Sequence, residues 1–393
     1  MKLYLNDLGL LCGAGSSKAG ILKRLLAGDR SGLIKTDKFS LNHSVILGQI
    51  TTHLPEIGPE YNVYHCRNNQ LLLAALNQVS KTVDEMIAKF DGERIGIVLG
   101  TSTSGVRNTE LALAFQAKNG VLPDGFHYKQ QQMGAGADFL ASYLGINGPA
   151  YSVSTACSSS GKAFASARRL INLGICDAVI VGGADSLCSL TMNGFAALES
   201  LSTGFCKPFG LHRDGINIGE AVSLFILSKE PGPVELKGIG ATSDAYHFSA
   251  PDPAGTAVIK AMQQALEEAG KTPEDIDYLN LHGTATVLND AMESKAVNAL
   301  FGADLAASSS KGMTGHTLGA AAALELAFCW LLLTSDDNQG ALIPNVNDDE
   351  HDSELAPMNL VKKGMALGRK INTCQSNSFA FGGNNLSIVI ART

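Results

Sequence analysis

Short β-branched runs closed by glycine, such as Ile95-Gly96-Ile97-Val98-Leu99-Gly100 and Ala178-Val179-Ile180-Val181-Gly182-Gly183, have the pattern of strands buried on both faces. Ala221–Leu227, Tyr278–Leu281 and Leu386–Ile390 repeat that pattern. Between them, apolar residues at helical spacing predict helices over Asp138–Leu144, Gly161–Leu173, Thr256–Ala269, Ala291–Leu300 and Gly319–Leu333. Strand and helix alternate, which indicates an α/β architecture. The run Leu318–Thr334 is almost wholly apolar, yet it contains Glu325 and is short for a bilayer span, so a buried helix is expected. Lys229-Glu230-Pro231-Gly232-Pro233 breaks the pattern and divides the chain into two similarly built halves, 1–230 and 231–393, with no sequence repeat between them. Ser335–Ser353, rich in aspartate, is expected to be a surface loop.

Composition narrows the class. Apolar residues are 45% of the 393 positions, enough for a large core, while charged residues are only 17%. That is below the usual quarter and implies shielding by several packed layers or by a subunit interface. A net charge of -7 argues against general affinity for nucleic acid or an anionic membrane. The eight cysteines form no CxxC pair and read as scattered reduced thiols, so neither a metal site nor a disulfide framework is expected. An acid at Asp7 comes too early for a signal peptide, and a cytoplasmic protein without a membrane span is expected.

Four segments carry chemistry. Cys157 lies in Ser154-Thr155-Ala156-Cys157-Ser158-Ser159-Ser160-Gly161, small residues followed by an Ala-rich helix. A strand-to-helix turn there would face backbone N–H groups and the positive helix end toward the sulfur, favouring thiolate and offering an oxyanion site. The plain alternative is a buried structural cysteine. His282 ends a strand and opens Gly283-Thr284-Ala285-Thr286, where a binding crevice is common; Thr284 and Thr286 are candidates for bonding a polar substrate linker. His316 follows Lys311 by five residues, with Gly312 and Gly315 between, and buried Glu325 needs Lys311 or His316 as a partner. In Asn377-Ser378-Phe379-Ala380-Phe381-Gly382-Gly383, two phenylalanines in a glycine-rich turn either cover a pocket or anchor the core. No P-loop, H-E-x-x-H or G-x-S-x-G motif competes.

Thr155-Ala156-Cys157, His282-Gly283-Thr284-x-Thr286, Lys311-x-x-x-Gly315-His316 and Phe379-x-Phe381-Gly382-Gly383 occur in that order. Together they resemble the elongating β-ketoacyl-acyl-carrier-protein synthases of the thiolase superfamily, polyketide ketosynthases included. The likeness runs along essentially the whole chain, from Leu8-Gly9-Leu10 through Lys207-Pro208-Phe209 and Arg213-Asp214-Gly215 to the last glycine turn. It implies a thiolase-like fold of two similar halves in five α-β-α-β-α layers, a dimer, and no metal or organic cofactor. It further implies that Cys157 accepts an acyl group from an acyl carrier protein, with its own N–H and that of Phe381 as the oxyanion hole. His282 and His316 would then stabilise the enolate formed when a malonyl extender loses CO2. Lys311 would set the electrostatics and hold His316 neutral, Glu325 would support it, and Phe379, Ala380 and Phe381 would form the gate. Arg67, Lys129, Lys207 and Arg213 are the candidate docking cations for an acidic carrier.

The chain departs from that pattern in three places. Ser378 and Ala380 replace two glycines of the usual gate turn, so stiffer gating is expected. Ala285 and Val287 stand where serine and proline are usual, although Asp290 fits. Phe126–Met133, which helps shape the acyl pocket and dimer interface in such folds, lacks the usual proline-containing segment. These differences point to a specialised fatty-acid, polyene or polyketide pathway, as a homodimer or a ketosynthase-like heterodimer. Two alternatives remain. One is a largely structural, chain-length-factor-like subunit, which the intact Cys-His-His set disfavours. The other is a degradative thiolase, disfavoured by the missing second cysteine.

Overall fold

Tyr4–Cys12 pairs antiparallel with Ala221–Ser228, which pairs antiparallel with Ala178–Asp185. Ala178–Asp185 lies parallel to Ile95–Gly100, which lies parallel to Ala150–Val153. The same succession recurs from Val234–Ser243 through Asn384–Arg392, Thr373–Ala380 and Tyr278–Asn280 to Ala306–Ser308, with Asn359–Leu360 added at the edge. Among the described residues two pairs, Tyr4 with Glu235 and Leu5 with Val234, join the sets into one hydrogen-bonded sheet of 11 strands. The computed structural model describes residues 1–39, 44–350 and 352–393.

Helices Ser159–Asn172 and Ala321–Thr334 pack between the two sets of strands. Arg67–Gln78 and Ala135–Leu144 cover the outer face of the first set. Thr256–Ala269 covers the second, and Val287–Phe301 packs against it. The result is five layers, α-β-α-β-α. Ala321–Thr334 sits in the middle because it is apolar all round, and every residue from Ala321 to Leu333 is buried. Gly161 lets the neighbouring central helix approach the last strand: a Cβ there would lie 2.0 Å from a Leu386 methyl. No helix among the described residues is long and apolar enough to cross a membrane.

The predicted elements recur with shifted ends. The central helix starts at Ala321 after a short turn at Leu318–Ala320, so Glu325 sits in its second turn. The segment expected as a surface loop over Ser335–Ser353 has a buried middle. There Leu342 and Ile343 join the core, and Asn345 accepts a hydrogen bond from Ser309 N–H at 3.0 Å. Its aspartates hid these apolar residues from a reading by composition, and its His351 lies outside the described residues.

Candidate active site

Cys157 lies in the turn between the strand Ala150–Val153 and the helix Ser159–Asn172, with Ala156 forced into the left-handed region at φ 51°. His282 stands just past the strand Tyr278–Asn280, and His316 follows the short helix Lys311–Thr314. A three-stranded sheet of Leu33–Thr36, Val45–Gly48 and Ile218–Gly219 reaches in from the side and grips His316 by its backbone. His316 N–H donates to Asn217 O at 2.6 Å, and Gly219 N–H to His316 O at 2.9 Å. Ala285 at φ 64° and Leu318 at φ 52° are also left-handed, so strained backbone flanks all three reactive side chains.

The sulfur and one ring nitrogen of each histidine lie within 4.8 Å of one another. His316 Nε2 is 3.0 Å from Cys157 Sγ, and the two imidazoles stand edge to face with centroids 5.5 Å apart. The network assigns both tautomers. Leu318 N–H donates to His316 Nδ1 at 3.3 Å, so the single hydrogen of the neutral ring is on Nε2. The Lys311 ammonium lies 3.5 Å from His282 Nδ1, which puts that ring's hydrogen on Nε2 as well. Burial first, and the Lys311 charge second, hold both histidines well below the usual imidazole range. They are therefore neutral N–H donors gathered around the sulfur, with His316 Nε2–H bonded to it.

Lys311 is itself enclosed. It donates to His282 O and is paired with Glu325 rather than leaving that acid to His316. Burial pushes the Glu325 carboxyl up to about 7, opposed by Lys311. The expected preformed thiolate is not what the surroundings favour. Burial pushes the Cys157 thiol up to about 11, outweighing the Lys311 charge and the backbone N–H groups of Phe381 and Cys157 that reach the sulfur. Those two N–H groups are the pair expected at the oxyanion position.

A cavity of about 350 Å³ connects this trio to the surface, and Thr284, Thr286, Phe379, Ala380 and Phe381 all line it. The two threonine hydroxyls share a hydrogen bond of 2.9 Å. Phe379 packs edge-on to His282 and Phe381 against Phe195. Ala380 has an extended backbone, φ −101° and ψ 154°, that any residue adopts, so its Cβ imposes no stiffness at this position. The left-handed requirement falls instead on Gly382, at φ 79°.

The four docking cations divide. Arg67 turns inward to buried Glu220 at 2.6 Å, and Arg213 is buried against Asp352 at 2.6 Å. Arg213 is withdrawn from any partner with its acid, whereas Arg67, as exposed as Lys129, neutralises buried Glu220 while part of its side chain stays at the surface. Lys129 and Lys207 remain partly exposed. Two supporting acids escaped the sequence reading. Glu293 accepts the N–H groups of His282 and Gly283, both at 2.7 Å, and clamps the histidine loop. Asp185 accepts Thr101 Oγ1–H at 2.6 Å, the Ser102 and Thr103 N–H groups at 2.8 and 2.9 Å, and Gly319 N–H at 2.6 Å. It thereby ties the turn after strand Ile95–Gly100 to the segment that follows His316. The signal for Glu293 was its place three residues after Asp290, which puts two acids on one helix face turned toward the loop.

Two family models match the chain: the β-ketoacyl synthase N-terminal domain over residues 67–231 and the C-terminal domain over residues 234–347. Nodulation protein E of Rhizobium leguminosarum bv. trifolii is 30% identical over 98% of this chain and 97% of its own. The 3-oxoacyl-[acyl-carrier-protein] synthase 2 of Staphylococcus aureus (strain COL) is 31% identical over 83% of this chain and 82% of its own. A solved ketosynthase, ApeO, in complex with its chain length factor ApeC from Xenorhabdus doucetiae, superimposes with a TM-score of 0.95 at 42% identity. That likeness covers 100% of this chain and 98% of the other. The chain belongs to the β-ketoacyl synthase family and is an acyltransferase-type ketosynthase with a thiolase-like fold.

Proposed function

We propose that the chain condenses an acyl group held on Cys157 with a malonyl unit delivered by an acyl carrier protein. The observation that carries this reading is the pair of neutral imidazoles gathered at the sulfur, with His316 Nε2 3.0 Å from it. Such a pair suits stabilisation of an enolate and is unsuited to taking up a proton. In the first step Cys157 Sγ attacks the carrier thioester, the carbonyl–sulfur bond to the carrier arm breaks, and the arm leaves as a thiol with the Cys157 proton. A malonyl thioester then enters, its linker beside Thr284 and Thr286. Its carbon–carbon bond to the carboxylate breaks, CO2 leaves, and the electron pair moves into the thioester as an enolate held by His282 and His316. Acylation removes the sulfur as an acceptor for His316 Nε2–H, which frees that donor for the enolate. The enolate carbon attacks the acyl carbonyl, whose oxygen takes the N–H groups of Cys157 and Phe381. Collapse releases the β-ketoacyl carrier and the Cys157 sulfur as a thiolate, which takes a proton from water to restore the resting thiol. Lys311 and Glu325 keep the histidines neutral and seated.

Several features support a specialised pathway: the altered gate and histidine loop, and the likeness to nodulation protein E and to a ketosynthase solved with its chain length factor. On this reading the chain works as a homodimer or with a chain-length-factor-like subunit, in the cytoplasm, and its two halves meet near residue 230. The intact sulfur–imidazole contact argues against a purely structural subunit. His282→Ala should slow decarboxylation of malonyl carrier protein by about 10²–10³ while Cys157 still accepts an acyl group, followed by mass spectrometry of the labelled peptide. Undiminished decarboxylation in that variant would overturn the assignment.

A further inference from the structure

The mouth of the catalytic cavity differs in chemistry from what an acidic carrier protein would meet on a basic docking face. Among the described residues that line it are three carboxylates, Glu199, Asp214 and Asp244, and neither lysine nor arginine. Large apolar side chains stand in solvent around it. Leu198 is 45% exposed, Val287 56% and Leu288 61%, and all three line the cavity. Phe248, 67% exposed, is stacked on His247 at 4.5 Å, and His247 lines the cavity too. Val287 and Leu288 begin the helix Val287–Phe301, directly after the His282 loop. Isolated exposed apolar residues need no explanation, but several gathered on the rim of one functional cavity mark a contact surface.

Resting on the reading of the site as a ketosynthase centre, we propose that the lip formed by Leu198, Phe248, Val287 and Leu288 is an apolar docking surface for the substrate's carrier protein. The occupant follows from continuity: an arm threaded along Thr284 and Thr286 to Cys157 requires the body that carries it to rest on this rim. The part of the carrier that fits is the apolar face beside its arm-bearing serine. Recognition of this kind depends on burial of apolar surface, so screening charge leaves it intact.

Carrier proteins encoded by the source genome, each charged with malonate, test this against malonyl-pantetheine, which uses the same sulfur and histidines without the lip. Between about 0.05 and about 0.5 M salt, KM for the best malonyl carrier should change by less than about twofold. Leu288→Gln and Phe248→Gln should each raise the carrier-to-pantetheine KM ratio about tenfold, and Lys207→Gln should not. A tenfold or larger rise of the carrier KM with salt, or a ratio moved by Lys207→Gln and not by the lip variants, would overturn the proposal. Loss of both the carrier and the pantetheine reactions in the unaltered chain would instead overturn the reading of the site on which it rests.

Discussion

At Cys157 two influences oppose each other. The turn into the helix Ser159–Asn172, the N–H of Phe381 and the Lys311 charge favour a thiolate, but the sulfur is enclosed, and burial is the larger effect. The sign follows directly: a thiol raised to about 11 stays protonated at neutral pH, and its thiolate fraction grows tenfold with each unit of pH. Alkylation of Cys157 by iodoacetamide, read from the Cys157 peptide, should therefore climb about tenfold per unit from about pH 7 to about pH 9. A rate that levels off near neutrality would mean that a thiolate is already formed. The same enclosure explains why both histidines stay neutral: a cation beside Lys311 in a buried pocket is disfavoured twice.

Elements matter through what they hold still. The helix Val287–Phe301 presents Glu293 to the N–H groups of His282 and Gly283, so the histidine is fixed by its own backbone as well as by Lys311. Glu293→Gln keeps the shape but loses one anionic acceptor. It should lower decarboxylation about tenfold or more while leaving the iodoacetamide rate of Cys157 within about twofold, because that acid touches the histidine loop and not the sulfur. In the gate turn the two substitutable positions should behave oppositely to a reading from family pattern alone. Ala380→Gly removes a Cβ from an ordinary extended position, so it should lose about 0.5–1 kcal/mol of stability and gain no turnover. Gly382→Ala forces a side chain into the left-handed region and should lose about 1–2 kcal/mol. Thermal melts with matched activity assays would check both.

At the scale of the whole molecule, one long helix among the described residues is thinly supported. In the helix Val106–Asn119 the sole buried residue is Ala112, while Leu111, Leu113 and Phe115, and Val121 and Leu122 just beyond, stand in solvent. Helices draw most of their stability from packing, so a helix this bare in a single chain indicates a partner that covers it. The low charged fraction of the sequence points the same way. Leu111→Asp combined with Phe115→Asp should convert the proposed dimer into monomers in analytical ultracentrifugation. An unchanged sedimentation coefficient would place the interface elsewhere.

Cys157, His282, Lys311, His316, Glu325 and the Phe379–Gly383 turn were legible in the sequence because the chemistry needs those residue types in short, fixed local settings. The alternation of glycine-ended strands and helices gave the α/β class for the same reason, since periodicity is a local property of the chain, while the five layers were implied by the family resemblance. The protonated state of Cys157, the partners of Arg67 and Arg213, and the clamps made by Glu293 and Asp185 were not legible. Each depends on groups from 10 to more than a hundred residues away, or on how deeply a side chain is enclosed. The buried middle of Ser335–Ser353 was missed likewise, since its aspartates are local and the core that receives Ile343 is not. Sequence thus pointed to the atoms proposed to react. Tertiary structure decided their charge, because burial and long-range neighbours set the electrostatic cost of every proton in the site.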